Sequence, residues 1–165
     1  MAYDARRAVI AVGVLAGLSA SLGSTAQAQG RRLRDSDFVV AGVAPDMDSA
    51  TVRQVLGNPD SIAEGDDPSQ SAPKLCWYYR DLQVVLWGAQ VEGIWLRSSR
   101  YATARGLRLG DSLGKARHLY GRNTWYSVRP KGLSWEERPR GTGRMVYITY
   151  TDQRTEWIWL GYNGD

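Results

Sequence analysis

A chain of 165 residues with 21 Lys and Arg against 17 Asp and Glu has a formal net charge of +4. The basic residues are scattered, apart from Arg31, Arg32 and Arg34, so there is no basic stripe of the kind that grips nucleic acid, and the balance favours acidic surfaces only slightly. One Cys and one His exclude an internal disulfide framework and a His/Cys zinc cluster.

The first predicted element is a targeting segment. MAYDARR carries Arg6 and Arg7, Ala8 to Leu18 is apolar, and Ala26-Gln27-Ala28 follows as a small-residue cleavage site. That order predicts a secretory signal peptide over 1–28, removed after Ala28, and a periplasmic or secreted protein. A retained anchor is the competing reading, but the apolar run is shorter than the roughly 20 residues a bilayer span takes. No Cys stands near the site to carry a lipid, and no later segment is apolar enough to span. Residues 29–41 read as a basic N-terminal arm.

From residue 42 the chain repeats itself. Glu92 to Leu96 reads EGIWL and Glu156 to Leu160 reads EWIWL, an offset of 64 residues. The same offset carries Gly42 to Gly106, Arg53 to Arg117, Val55 to Leu119 and Gly57 to Gly121. The pattern predicts a tandem duplication, with one unit over 42–100 and a second over 101–165.

Each unit opens with a glycine-centred entry and a helix start. Asp48 or Ser49 and Asp111 or Ser112 are placed to accept orphan helix N–H groups. Short helices are expected over ATVRQVL and LGKARHLY, stopped by Gly57 and Gly121. Polar loops follow, AEGDDPSQSAPK and VRPKGLSWEERPRGTG. Strands are expected over LCWYYR, LQVVLW and VEGIWLR in the first unit, and RMVYITY and TEWIWLG in the second, with NTWYSV as a possible further strand. WGAQ and TDQR are short enough to be hairpin turns. The predicted fold class is α+β, two tandem helix-plus-antiparallel-strand repeats with the helices on one face of the sheet.

Alternation assigns the faces. Leu82, Val84, Leu86, Ile94, Leu96, Val146, Ile148, Tyr150, Ile158 and Leu160 are the expected core. Glu92 and Glu156 share that parity. The other parity holds Val85, Trp87, Trp95, Tyr147, Thr149, Trp157 and Trp159, five of them aromatic. A sheet covered by helices on one side leaves such a face open. Large rigid rings there suit a recognition surface, with Trp87, Trp95, Tyr147, Trp157 and Trp159 as candidate binding residues and Arg97 and Arg154 as a polar rim. The alternative is that the same rings form a second core.

Catalytic constellations are sparse. His118 reads as a surface or helix-end residue, and no G-x-S-x-G pattern accompanies it. Glu92 and Glu156 suggest a pair of carboxylates such as glycosidases use, or else cap or Arg partners. Asp66-Asp67 and Glu136-Glu137 are loop acids, and Gly141-Thr142-Gly143 lacks the frame of a phosphate loop. Cys76 in LCWYY is a small apolar residue or the source of an intermolecular disulfide. No catalytic residue, metal or cofactor is assigned.

The stretch AGVAPDMDSATVRQVLGNPDSI, with Met47 in its entry and the stop Leu56-Gly57-Asn58-Pro59, resembles the start of the SmpA/OmlA (BamE-like) domain family. Asp46 stands where that family usually has Gly; Gly106 to Ser112 restores it in the second copy. A tandem pair of such units resembles the architecture of the β-lactamase inhibitory protein family. The resemblance implies a bacterial, exported, non-enzymatic module that binds a protein partner in the periplasm, at the outer membrane or outside the cell. The alternatives are an outer-membrane assembly or envelope-integrity factor, and a glycan-binding protein or small hydrolase.

Overall fold

Local signals fix the helix ends in the computed structural model, which describes residues 32–65, 74–137 and 143–163. Helix α1 spans Ser49–Leu56 and helix α2 spans Leu113–Tyr120. The Asp48 carboxylate accepts the Thr51 N–H at 2.9 Å, and the Ser112 hydroxyl accepts the Lys115 N–H at 3.2 Å. Each cap satisfies one of the donors a helix start leaves free. Gly57 and Gly121 end the helices at φ of 81° and 80°, where an L side chain is strained. The predicted signal segment, its cleavage site and the acids Asp66 and Asp67 lie outside the described residues.

Strands make up most of the fold. They are β1 (Ser61–Gly65), β2 (Lys74–Tyr78), β3 (Leu82–Trp87), β4 (Gln90–Leu96), β5 (Trp125–Val128), β6 (Lys131–Glu136), β7 (Arg144–Thr151) and β8 (Arg154–Tyr162). They form one eight-stranded sheet in the order β1-β2-β3-β4-β8-β7-β6-β5, antiparallel at every junction. This corrects the expected α+β class of two tandem helix-plus-strand units. The two copies of the duplicated strand, β4 and β8, hydrogen-bond to each other, with Ile94 opposite Leu160 and Trp95 opposite Trp159. That pairing merges both sets of strands into one sheet, to which the two eight-residue helices add little.

The 64-residue periodicity persists as local hydrogen bonding. Asp46 N–H donates to the Val91 carbonyl at 2.8 Å and Gly110 N–H to the Thr155 carbonyl at 2.8 Å; Ser49 N–H meets Ala89 and Leu113 N–H meets Gln153, both at 2.8 Å. Each bond pins a helix start to a hairpin end.

Two expected loops contain strands. Ala63–Gly65 belong to β1, and β6 runs through KGLSWE, where Gly and charge argued against a strand. Leu133 and Trp135 are buried there, and packing overrode composition.

One core lies beneath the sheet. Leu82, Val84, Leu86, Ile94, Leu96, Val146, Ile148, Ile158 and Leu160 cluster with Val52 of α1 and with Leu113, Ala116 and Tyr120 of α2. Tyr120 is buried, and its hydroxyl lies 2.7 Å from the Thr103 hydroxyl. Burial pushes the Tyr120 phenol up to about 12. Residues 32–41, expected as a basic arm, contribute Leu33, Phe38 and Val40 to this core.

A charged clamp closes the same region. Arg105 donates to both Asp37 oxygens, at 2.8 and 2.6 Å, and to the Leu119 and Arg32 carbonyls. It ties the segment before α1 to the end of α2. Arg144 pairs with Asp35 and Glu137 while lying 4.6 Å from the Phe38 ring centroid. Burial alone would raise the Asp37 carboxyl; the Arg105 fork and the Arg34 N–H outweigh it and hold it below the ordinary value.

A depressed folded-state pKa contributes stability above the unfolded value of about 3.9, and that contribution is lost as pH falls through the folded value. Thermal melts should therefore show wild type more stable than Asp37→Asn by a constant margin above about pH 5. The margin should shrink steadily below about pH 4. A margin independent of pH down to acid unfolding would contradict the clamp.

Candidate functional site

The second face of the sheet carries one cross-strand row through all eight strands. Ser61, Tyr78, Gln83, Trp95, Trp159, Tyr147, Ser134 and Trp125 are successive partners in the pairing register. Paired residues share a face, so the predicted Trp95, Tyr147 and Trp159 stand together with Tyr78 and Trp125. Trp157 joins them, edge-on to Trp95 at 6.2 Å between ring centroids, while Trp95 and Trp159 are 5.0 Å apart. Trp87 stands on the same face, paired with Lys74 and Gln90 at the end of the β3–β4 hairpin.

The rings are not equivalent. Trp159 is 7% exposed, whereas Trp87, Trp125 and Trp157 are 49, 53 and 47% exposed. Glycines explain the difference. A Cβ built on Gly93 would lie 2.4 Å from the Trp159 ring, and one on Gly161 would lie 2.6 Å from the Gly93 Cα. Gly93 and Gly161 are paired across the β4–β8 seam, and the Trp159 indole lies over them, its N–H donating to the Tyr162 carbonyl at 3.1 Å. Tyr147 uses Gly132 in the same way, with its hydroxyl bonded to Ser127. Burial raises the Tyr147 phenol above its ordinary value, the Ser127 bond opposing it.

Beside the row runs a groove of about 370 Å³. Cys76, Val85 and Met145 line it together with Lys74, Glu92 and Tyr162. A second cavity of about 400 Å³, lined by Trp125, Ser134, Glu136, Met145, Tyr147 and Asn163, continues from it toward β5. The Tyr162 hydroxyl meets the Asp46 carboxylate at 2.7 Å, which with burial raises the Tyr162 phenol.

Glu92 and Glu156 depart from their expected core parity. The β3–β4 register shifts so that Val85 faces Gly93 and Leu86 faces Val91, leaving Glu92 as an extra residue; β7–β8 shifts in the same way at Glu156. These bulges put Val91 and Thr155 inward. Glu92 lines the groove, where it meets Lys74 as an ion pair at 3.0 Å without an aligned hydrogen bond. Glu156 is exposed. In the β4–β8 register Glu156 is level with residue 98, six positions along the strand from Glu92. That is roughly 20 Å at 3.3 Å per residue, too far for a two-carboxylate site.

Of the expected rim, Arg97 stands at the end of the aromatic row, 5.3 Å from the Tyr78 ring centroid and bonded to Gln83. Arg154 instead donates to the Gly110 carbonyl at 2.9 Å, holding the loop before α2. His118 is exposed in the last turn of α2. Cys76 is half-buried and carries a free thiol. Among the described residues no group of three His, Cys, Asp or Glu is placed to hold a metal ion, and no helix is long and apolar enough to cross a membrane.

Sequence reading missed Tyr78, Trp125, Ser134 and Glu136 on this face. Alternation from Cys76 gives Tyr78 its side, but Trp125 and Ser134 required the β5–β6–β7 register. Comparison with known proteins adds no relative: no family model, curated protein or solved structure matches the chain.

Replacing Gly93 by Ala should displace the Trp159 indole and lower stability by about 1–3 kcal/mol, the usual cost of overpacking. Urea unfolding followed by tryptophan fluorescence checks this; an unchanged midpoint and spectrum would show that the indole does not lie over the seam.

Proposed function

We propose that the chain is a non-enzymatic protein-binding module, periplasmic or secreted, that holds a protein partner on the aromatic face of its sheet. The carrying observation is the row from Tyr78 to Trp125, with Trp87, Trp125 and Trp157 each about half exposed on the face opposite the core that α1 and α2 join. Half-exposed tryptophans on β3, β5 and β8 spread apolar area across one face, the residue type most enriched where proteins meet. Trp159 and Tyr147 lie over glycines and make a firm floor, while Trp87 and Trp157 offer area to a partner at small entropy cost. The roughly 20 Å between Glu92 and Glu156 removes the carboxylate pair that most favoured a hydrolase.

The test is affinity capture from native envelope and culture supernatant. The 165-residue chain and its Trp87→Ser/Trp157→Ser variant serve as baits. Both rings are exposed, so the variant should keep the native circular dichroism spectrum. The reading expects a protein whose recovery falls by about tenfold or more with the variant. Equal recovery on both baits would count against it, as would saturable glycan binding with no captured protein.

A further inference from the structure

We infer that the cavity between Trp125 and Tyr147 is a cation subsite that receives an arginine side chain of the partner. This rests on the protein-binding reading above and names the chemistry of one part of that surface. The cavity is lined by Trp125, Ser134, Glu136, Met145, Tyr147 and Asn163. Ser134 is the partner of both Trp125 and Tyr147 in the register, so a small residue lies between their backbone positions, while the Tyr147 ring itself leans over Gly132. The rings' strands are two spacings apart, about 9.6 Å. Glu136 lies two residues along β6 from Ser134, on the same face, opposite Met145.

Three observations point to a cation. Among the described residues the lining contains an acid and no basic side chain. Glu136 takes part in none of the ion pairs among the described residues, whereas Glu92, in the adjoining groove, has Lys74. Ser134 lines the cavity, and its buried hydroxyl has no hydrogen-bond partner among the described residues, although a buried polar atom normally finds one. A positive group in the cavity gains a carboxylate and a free acceptor, with the half-exposed Trp125 indole beside it for cation–π attraction. Guanidinium fits this set better than ammonium. Its plane stacks on rings, and its fork supplies separate donors for Glu136, the Ser134 hydroxyl and the Asn163 amide oxygen.

The probe is N-acetyl-arginine amide, titrated into the 15N-labelled 165-residue chain and followed at the Trp125 indole N–H. The expected result is a saturable shift that N-acetyl-citrulline amide, the neutral isostere, does not produce. Glu136→Gln should weaken the arginine response by about tenfold or more while leaving the rest of the spectrum in place. Glu136→Asp should retain part of it, separating charge from folding. Equal responses to arginine and citrulline, or a response unchanged in Glu136→Gln, would overturn the subsite. So would a saturable shift with a methyl glycoside in place of arginine, which would assign the cavity to sugars. Glu136→Gln also serves as a third bait in the capture experiment. A partner lost with Trp87→Ser/Trp157→Ser but fully kept with Glu136→Gln would sink the cation subsite alone and leave the binding module standing.

Discussion

The structure depends on how closely β4 and β8 approach at Gly93 and Gly161. Any side chain on Gly161 would meet the Glu92 carbonyl and the Gly93 Cα at 2.6 Å. Two glycines face to face leave a shallow strip at the centre of an eight-stranded sheet, and a glycine pair alone would weaken it. Trp159 repairs the weakness by lying across both residues and closing its N–H on Tyr162. The seam is thereby both the join between the two sets of strands and the floor of the groove.

The two faces have different physical roles because of this join. Aliphatic residues beneath the sheet form one cluster from Leu82 to Leu160, closed by the helices and by residues 33–43, and locked by Arg105 on Asp37. Above the sheet the rings stand in file, but the glycines beneath Trp159 and Tyr147 let those two lie flat. Trp87, Trp125 and Trp157 have no such seat and remain half exposed.

Much of this fold was legible in the sequence. Asp48, Ser112, Gly57 and Gly121 announced both helices, and alternating Val, Leu and Ile announced β3, β4, β7 and β8. Two copies of one strand say nothing about whether they pair with each other, so the seam and the single sheet were not legible. β6 was hidden because Gly132, Ser134 and Glu136 alternate with only two apolar residues, Leu133 and Trp135. The bulges at Glu92 and Glu156 shift parity by one, and no residue type marks such an insertion. The aromatic face was legible where rings recur at the 64-residue offset, as with Trp95 and Trp159. Trp125, Ser134 and Glu136 came into view only through the register, since nothing in the chain relates β5 to β7.

Amide hydrogen exchange at the seam tests most directly whether this is one sheet. If the Gly93–Gly161 approach unites the strands, the amides of Ile94 to Leu96 and Ile158 to Leu160 should exchange only through global unfolding. Their protection should then match that of Val84 and Ile148. Seam amides that exchange well before those within each set of strands would show two units opening against each other, and the account of a continuous sheet with one aromatic face would fail.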